Sequence, residues 1–531
     1  MSYTENFSVA LREGQYFQYC DDSCNTNYIL SIWEKTVKLS LISTVCATVL
    51  IVPVVSNATD NKRALEVRTT QEQITSGELS LKEIRFRGMK LFSTPFTKAD
   101  GFGETPGITA EARRKNGSRG SLQGNGTFTR INGLDAQTCL ECHSVVSRAT
   151  IPMKFGIGGV GGVNNTVLGG GGASFINAND DALQINDPDG FGTTGAQNIN
   201  GRTINPPFIF GSGGVELVGN EMTLELQALK QQALNNPGTV VDLITKDINF
   251  GTLSADAGGN FDVSGVDGID SDPESDTFLV VQPFGRKGNN ITTRTFDLDA
   301  MQFHSGMQPV EIVGPGVDAD NDGVIDELLV GELSALNVFS AALERPFQSK
   351  MKHKARQGKR LFNEAGCTEC HVPVMKTNSR KVGMRFPEIA QNPSANVYLE
   401  VDLSKKPTKF KKNRQGGVDV QMFADLKRHD MGPELAEFNG SSSFTTARLW
   451  GVADTAPYLH DGRALTIDDA IVLHGKSGSE AETAVSYYNN DMTGDEKNAV
   501  LAYLGTLRTP KNPAKDLVKL ANKRKHQDDD D

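Results

Sequence analysis

The chain has 531 residues, of which 54 are basic and 65 acidic, and its formal net charge is −11. A hydrophobic fraction of 38% and a charged fraction of 22% are typical of a globular protein with roughly two to four domains. This composition excludes a polytopic membrane protein and wholesale disorder, and the acidic balance argues against nucleic-acid binding. Seven cysteines are too few for a disulfide scaffold of this length.

The N-terminal segment has the pattern of an export signal. Residues 39–55 form the only long apolar run, with two lysines before it and the small residues Ser56–Ala58 after it. We predict that residues 1–58 are a leader with a signal peptide that directs the rest of the chain to the periplasm. The run is long for a signal peptide and short for a spanning helix, so an uncleaved N-terminal anchor is the alternative to cleavage near Ala58.

The four cysteines beyond the leader stand in two CxxCH motifs. These motifs consist of Cys139, Cys142 and His143, and of Cys367, Cys370 and His371. In this spacing both thiols add to the vinyl groups of one haem, and the adjacent histidine binds the iron as its proximal ligand. A zinc site built from two CxxC pairs is the alternative, but zinc ribbons separate their pairs by only about 15–20 residues. The motifs therefore predict two covalently bound haem c groups.

A similar helix end precedes each motif. Residues 87–92 read RGMKLF and residues 357–362 read QGKRLF, and Ser80 with Glu83 forms a capping box that starts the first of these helices. We therefore predict a mainly α fold with two cytochrome c-like domains, an N-terminal one over 75–345 and a C-terminal one over 346–509.

An insertion enlarges the N-terminal domain. Residues 155–173 are a glycine-rich run without a phosphate-loop motif, and residues 238–282 alternate polar and apolar side chains around Gly, Asn and Asp. The alternation predicts short strands and hairpins. The N-terminal domain is thus expected to carry a β-rich and loop-rich insertion over about 150–282.

An acidic loop follows the insertion and resembles a calcium-binding loop. Its carboxylates are spaced around a glycine as in such loops, at Asp318, Asp320, Asp322 and Asp326. Position twelve is Leu329 instead of a bidentate Glu, so Asp326 or Glu327 would have to complete the coordination. The two interpretations are a calcium site and a solvated acidic turn.

Capping patterns mark the C-terminal helices. Thr466 and Asp469 predict a helix from about Ile467, on which His474 shares the apolar stripe and faces the core. A Thr493–Glu496 box predicts the final helix of the domain, and a weaker pattern at Ser334–Asn337 marks another helix start. The charged residues 510–531 are predicted to be a disordered tail.

Five segments carry a resemblance to a known family. Residues 446–451 (TARLWG) and 455–465 (TAPYLHDGRAL) resemble the di-haem cytochrome c peroxidase and MauG-like superfamily. Residues 282–288 (QPFGRKG), 306–311 (GMQPVE) and 429–433 (HDMGP) resemble its di-haem oxidoreductase family, over about 75–508.

This resemblance implies a periplasmic di-haem oxidoreductase. Hydrogen peroxide would be reduced at the N-terminal haem, with electrons from a donor protein such as a small cytochrome relayed through the C-terminal haem. One alternative is an electron-transfer cytochrome without substrate turnover, and the other is MauG-like oxidation of a protein or organic substrate. A membrane contact is expected only through an N-terminal anchor.

The resemblance also implies roles for individual residues. It places the sixth ligand of the relay haem at His474, with a buried structural histidine as the alternative, and makes Arg463 a candidate partner of a haem propionate. His460 would contact a haem edge, and His429 would lie near either haem. His304 falls where the peroxidatic glutamate of the superfamily lies, and it would either bind iron as a sixth ligand or act as an acid–base group toward peroxide, with a structural role as the alternative. Met307, Gln308 and Glu311 are further candidates, and His304 and Glu311 are our catalytic predictions. The relay tryptophan is absent, since Trp33 and Trp450 are the only tryptophans.

Overall fold

The structure is a computed structural model of the chain. It describes the residues 62–102, 121–122, 127–130, 133–135, 138–141, 143, 184–186, 196–198, 209–319, 323–436, 441–456, 458–460, 462–511 and 513–528. The predicted leader, the glycine-rich run, Cys142, Asp320 and Asp322 lie outside the described residues.

Helices supply most of the regular structure, as the predicted mainly α class requires. They are α1 Gln71–Thr75, α2 Leu81–Ser93, α3 Ser212–Asn235, α4 Thr293–Ser305, α5 Val310–Val313, α6 Val330–Ala341, α7 His353–Glu364, α8 Ile467–His474, α9 Glu482–Ser486, α10 Gly494–Leu504 and α11 Lys515–Asp528. Short 3₁₀ turns cover Lys98–Asp100, Cys139–Glu141, Pro433–Leu435 and Val452–Asp454, and a π-helical turn covers Tyr487–Asp491.

The strands are short and form seven small sheets among the described residues. They are β1 Ser121–Leu122, β2 Thr127–Arg130, β3 Gly133–Asp135, β4 Gln184–Asn186, β5 Ala196–Asn198, β6 Val241–Thr245, β7 Ile248–Ala255, β8 Phe261–Asp262, β9 Phe347–Gln348, β10 Met375–Lys376, β11 Lys381–Arg385, β12 Val397–Asp402, β13 Lys411–Lys412, β14 Val418–Val420, β15 Arg428–Asp430, β16 Ser443–Thr445 and β17 Leu507–Arg508. Each ladder between described strands is antiparallel.

Two pairs of crossing helices form a repeated unit in the fold. Helix α2 packs against α6, and α7 packs against α10. Each crossing depends on a glycine, because a Cβ on Gly88 would lie 2.0 Å from the carbonyl oxygen of Ala335, and a Cβ on Gly358 would lie 1.8 Å from that of Ala499. The helix backbones thus touch at equivalent positions of the two similar sequences, 87–92 and 357–362.

The apolar core is divided into two clusters, and each lies next to one CxxCH motif. The first contains Phe92 and Phe339, and Cys139 packs against it. The second and larger cluster contains Phe362 and Tyr503, and Cys367 packs against it. Burial of apolar side chains on the inner faces of the crossing helices is the main stabilising contribution at both places.

The capping signals located most of the helix starts correctly. The hydroxyl of Ser80 accepts a hydrogen bond from the Glu83 amide, and Thr466 and Thr493 form full capping boxes at the starts of α8 and α10. The Ser334–Asn337 start was wrong, because α6 already begins at Val330 with Glu332 at its third position.

The predicted strands over 238–282 correspond to the hairpin sheet β6–β7–β8. The long helix α3 was not predicted. Helix α3 has 24 residues and lies inside the predicted insertion, where its N-cap Gly211 offers no side-chain cap that could have revealed it.

The disordered tail is corrected to helix α11 over 515–528, because Leu517 is fully buried and Asp516 pairs with Arg85 of α2 at 2.8 Å. In the part of the chain that the structure describes, no helix is both long and apolar enough to cross a membrane.

Candidate functional site

The C-terminal motif follows directly from α7. The helix ends at Glu364, Gly366 turns the chain, and the His371 amide donates to the carbonyl of Cys367 at 3.0 Å. The phenyl ring of Phe362, on the buried face of α7, lies 6.4 Å from the imidazole of His371, centroid to centroid. The CxxCH turn is therefore fixed on the inner side of the helix.

The imidazole of His371 is oriented like that of a metal ligand. Its Nδ1 lies 3.1 Å from the carbonyl oxygen of Phe423, so Nδ1–H donates there and Nε2 is left as the basic nitrogen. Burial, together with the smaller effect of the nearby imidazole of His474, lowers the pKa of His371 to about 4. His371 is thus neutral at pH 7, which is the state that binds a metal.

His474 has the same kind of arrangement. It ends α8, whose Ile467 and Ile471 pack against the larger core cluster, and its Nδ1 lies 2.6 Å from the carbonyl oxygen of Ala470. Burial lowers its pKa as well. The structure thus brings His371 and His474 together, each with Nδ1 tied to a backbone carbonyl and Nε2 available to a shared group.

His429 lies beside this pair and is not a metal ligand. Its Nε2 lies 2.8 Å from a carboxylate oxygen of Asp425, and its Nδ1 lies 2.7 Å from one of Glu480. Both nitrogens must therefore donate, which makes His429 an imidazolium. Burial alone would lower its pKa, but the hydrogen bonds to Asp425 and Cys370 raise the pKa to about 11. Of the two locations predicted for His429, the structure selects the C-terminal motif, 3.9 Å from the sulfur of Cys370.

The sulfur chemistry fits haem attachment better than zinc. Cys370, Asp425 and His429 have ligand atoms within 4.8 Å of one another, but an imidazolium has no lone pair for a metal. Burial raises the pKa of the Cys367 thiol to about 11, so the free thiol is uncharged at neutral pH. An uncharged thioether is compatible with the same surroundings.

The N-terminal motif repeats this geometry. The His143 amide donates to the carbonyl of Cys139 at 2.8 Å, and the ring of Phe92 lies 6.3 Å from the imidazole of His143. Burial lowers the pKa of His143 to about 4. Phe92 and Phe362 therefore occupy equivalent positions under the two motif histidines. Among the described residues, Nδ1 of His143 has no hydrogen-bond partner, in contrast to that of His371.

The predicted distal segment lies next to the N-terminal motif. His304 is in the last turn of α4, and its side chain lies outside the described residues. Met301 and Met307, which flank it in the sequence, are buried in the same cluster as Phe92. The residues that flank His304 thus belong to the cluster against which Cys139 packs.

Glu311 belongs to a buried ion pair. Its carboxylate accepts from the guanidinium of Arg294, which also donates to the hydroxyl of Ser334 at 2.8 Å. Sequence reasoning missed Arg294, one of the largest fully buried side chains of the chain. Arg294 lies seven residues before Met301, so the two share one face of α4. This spacing is the only signal that could have located it.

Two loop residues with predicted roles at a haem contact other residues of the chain. Arg463 donates to the carbonyl of Glu434 at 2.9 Å, and the ring of His460 lies 4.8 Å from that of Phe444. Both roles predicted at a haem edge remain predictions.

The acidic loop is described only in part. Asp318 accepts from the Gly323 amide at 3.1 Å, and Asp326 accepts from the Gly316 amide at 2.7 Å. Glu327, the alternative ligand, is buried and accepts from the Gln308 amide at 2.7 Å. The loop is closed by these bonds, and calcium binding remains a prediction.

Two of the segments that carry the family resemblance, 282–288 and 446–451, contact each other. The guanidinium of Arg448 donates to the carbonyl of Pro283 at 3.0 Å and lies over the ring of Phe284. The Thr445 amide donates to the carbonyl of Arg286 at 3.0 Å. The hydroxyl of Thr446 donates to Asp425, the carboxylate that holds His429.

Comparisons with known proteins show what the chain is similar to. Residues 336–507 match the family described as "Di-haem oxidoreductase, putative peroxidase". Two relatives from Denitromonas iodatirespirans are each 25% identical to the chain. They are the cytochrome-c peroxidase IdrP2, over 211 residues (38% of this chain, 49% of the relative), and the cytochrome-c peroxidase IdrP1, over 139 residues (25% and 34%). The chain thus spans about half of the first relative and a third of the second.

Among solved structures, a MauG-like protein associated with microbial copper homeostasis matches at 14% identity and TM-score 0.25, covering 57% of this chain and 90% of that one. The Kuenenia stuttgartiensis hydrazine synthase matches at 16% identity and TM-score 0.20, covering 34% and 55%. At these TM-scores neither likeness assigns the fold. The resemblance predicted from the sequence is confirmed by the family match and the two peroxidase relatives: this chain resembles the di-haem oxidoreductases, and residues 336–507 carry the match.

Proposed function

We propose that the chain is a periplasmic di-haem c-type oxidoreductase that reduces hydrogen peroxide. The observation that supports it best is the repeated geometry of the two CxxCH motifs. In each, a helix that crosses its partner at a glycine places a phenylalanine ring about 6 Å from the motif histidine. A di-haem enzyme requires two haem sites, each with a neutral imidazole that can bind iron.

The C-terminal site is proposed as the electron relay. His371 and His474 supply two neutral imidazoles whose orientation is fixed by hydrogen bonds to Phe423 and Ala470. If both imidazoles bound one haem iron, they would exclude peroxide from it and hold its reduction potential below that of a His/Met pair. Electrons accepted here would pass to the N-terminal site.

The N-terminal site is proposed as the place of peroxide chemistry. Haem bound at Cys139–His143 would supply the iron and the two electrons for peroxide reduction, and the complete reaction would also consume two protons to form two waters. His304 would move a proton to the leaving oxygen, a role suited to a group that titrates near neutral pH. Glu311, held by Arg294, is the second candidate for that proton transfer.

Three further elements of the proposal rest on sequence patterns. The leader over 1–58 would deliver the chain to the periplasm, where a small cytochrome is the expected electron donor. Arg463 would contact a haem propionate. Calcium would bind the loop between Asp318 and Asp326, which separates α5 from α6.

The proposal is tested by peroxide-dependent oxidation of a reduced small cytochrome by the holoprotein. We expect turnover by the wild type and a loss of about a hundredfold for His304→Ala, because general acid–base groups typically contribute 10²–10⁴-fold. His526→Ala, in the last helix, is the matched control and should retain full activity. Absence of turnover by the wild type with every donor would contradict the peroxidase proposal and favour an electron-transfer cytochrome.

A further inference from the structure

Helix α7 carries a concentrated positive charge on a chain whose net charge is −11. The segment 345–363 contains no acidic residue. The exposed cationic side chains of α7 and its N-cap that share one side of the helix, here called the basic face, are Lys352, Arg356, Lys359 and Arg360. No ion pair joins any of these four to an acidic group of the described residues.

The rest of α7 is not available for binding. Ala355, Gly358, Leu361 and Phe362 are buried against α10 and the larger core cluster. The basic face is therefore the outer surface of a helix whose inner surface contacts His371 through Phe362. Since a helix with its side chains is about 10–12 Å wide, a partner on the basic face lies about one helix diameter from that histidine.

The equivalent helix of the N-terminal unit shows how such a face is neutralised. In α2, Arg85 pairs with Asp516 at 2.8 Å, and Glu83 pairs with Arg524 at 2.8 Å and with Arg87 at 3.6 Å. Two of these three contacts come from α11, which packs on α2. No helix of the described structure pairs with the cations of α7 in the way that α11 pairs with the charged residues of α2.

We propose that the basic face of α7 is the docking surface for an acidic electron-transfer protein. This inference rests on the proposed function and specifies the charge of the donor and the site where it binds. A cationic face attracts an acidic partner, increases the association rate and orients the encounter. In the step that follows docking, the reduced donor loses one electron and this chain gains one, so the charges balance without a further reactant.

An anionic membrane surface is the competing partner, and the structure disfavours it. A helix that lies in a membrane interface inserts exposed apolar side chains beside its cations. The apolar side of α7 faces the core, and the exposed large apolar side chains of the described residues lie in other segments. A donor protein with an acidic face requires no such insertion.

The test compares two charge-reversed variants of the holoprotein. Lys352→Glu/Lys359→Glu changes two positions that lie seven residues apart and so share one face of α7. Lys519→Glu/Lys523→Glu is the matched control, with the same change in charge on exposed lysines of another helix, α11. The probes are an acidic monohaem cytochrome and a basic mitochondrial cytochrome c. Their binding in the oxidised state is measured by calorimetry, and their electron transfer in the reduced state by stopped flow.

We expect the acidic cytochrome to bind the wild type and the α11 variant alike, and the α7 variant about tenfold more weakly at low salt. Its affinity should fall as ionic strength rises and the Debye length shrinks from about 30 Å at 0.01 M to about 8 Å at 0.15 M. The inference would be overturned if both variants bound the acidic cytochrome equally, or if the wild type preferred the basic cytochrome. It would also be overturned if the basic face bound phosphatidylglycerol vesicles instead. Binding of the oxidised probe needs no peroxide. The binding result can therefore be interpreted even if the protein does not reduce peroxide.

Discussion

The close crossing of α7 and α10 makes a sharp prediction for Gly358→Ala. A Cβ at this position would lie 1.8 Å from the carbonyl oxygen of Ala499, 2.3 Å from its carbon and 2.8 Å from the amide nitrogen of Val500. All three atoms are backbone, so no side chain can rotate away. Restoring ordinary contact requires the helices to separate by about 1.5 Å, which disrupts the close packing of the core between them.

The cost follows from two opposing terms. Overpacking of a core costs typically about 1–3 kcal/mol, and this contact is at the severe end because the backbone must move. Alanine is better than glycine in a helix interior by about 1 kcal/mol, which offsets part of the loss. We expect a net destabilisation of about 2 kcal/mol or more, together with a displaced Phe362 and an altered absorption spectrum of the haem bound at Cys367–His371.

The assay is urea unfolding of the holoprotein, with the midpoint as the readout. Gly494→Ala is the matched control, because a Cβ there meets nothing within 4 Å and the residue lies in the first turn of α10. The control should be as stable as the wild type or slightly more stable. If Gly358→Ala unfolds at the same urea concentration as the control, the helices do not cross as closely as described and the reasoning is refuted.

Three other predictions follow from the same contacts. His474→Met should raise the reduction potential of one haem in an optical redox titration, because thioether favours ferrous iron; an unchanged potential would remove His474 from the ligands. His429→Gln should destabilise the chain most near pH 6 and progressively less toward pH 10, as followed by urea unfolding. The reason is that a histidine whose pKa is raised by its hydrogen bond to Asp425 stabilises fully below its unfolded pKa of about 6.5 and loses this effect as the pH rises through the raised folded pKa; a pH-independent loss would contradict the imidazolium. Leu517→Ala should lower stability by about 2–5 kcal/mol if α11 is docked, whereas Lys519→Ala on the same helix should cost less than about 0.5 kcal/mol.

The sequence located the features that depend on local chemistry. The CxxCH spacing identified both motifs, and the Thr466 and Thr493 capping boxes located α8 and α10, because a cap is formed by residues three positions apart. His474 was assigned to an inward-facing stripe by helical periodicity alone. These signals are all contained within a few turns of chain.

The features that sequence reasoning missed depend on distant partners. Half of the residues of helix α11 are charged, and Leu517 is buried only because α2 and its neighbours provide a surface for it. The carboxylates that hold His429 lie 4 and 51 positions away, and no local pattern connects Glu480 with that histidine. The glycines of the two crossings are conspicuous only once the partner helices are known.

The central proposal is most directly tested by EPR and absorption spectra of the holoprotein, fully oxidised and then half-reduced, with peroxide added to each. An iron at the N-terminal site that is high-spin, at least after the relay haem is reduced, and whose signal changes with peroxide is the result that we predict. Two low-spin irons in every state, unaffected by peroxide, would contradict peroxide reduction and indicate an electron-transfer protein.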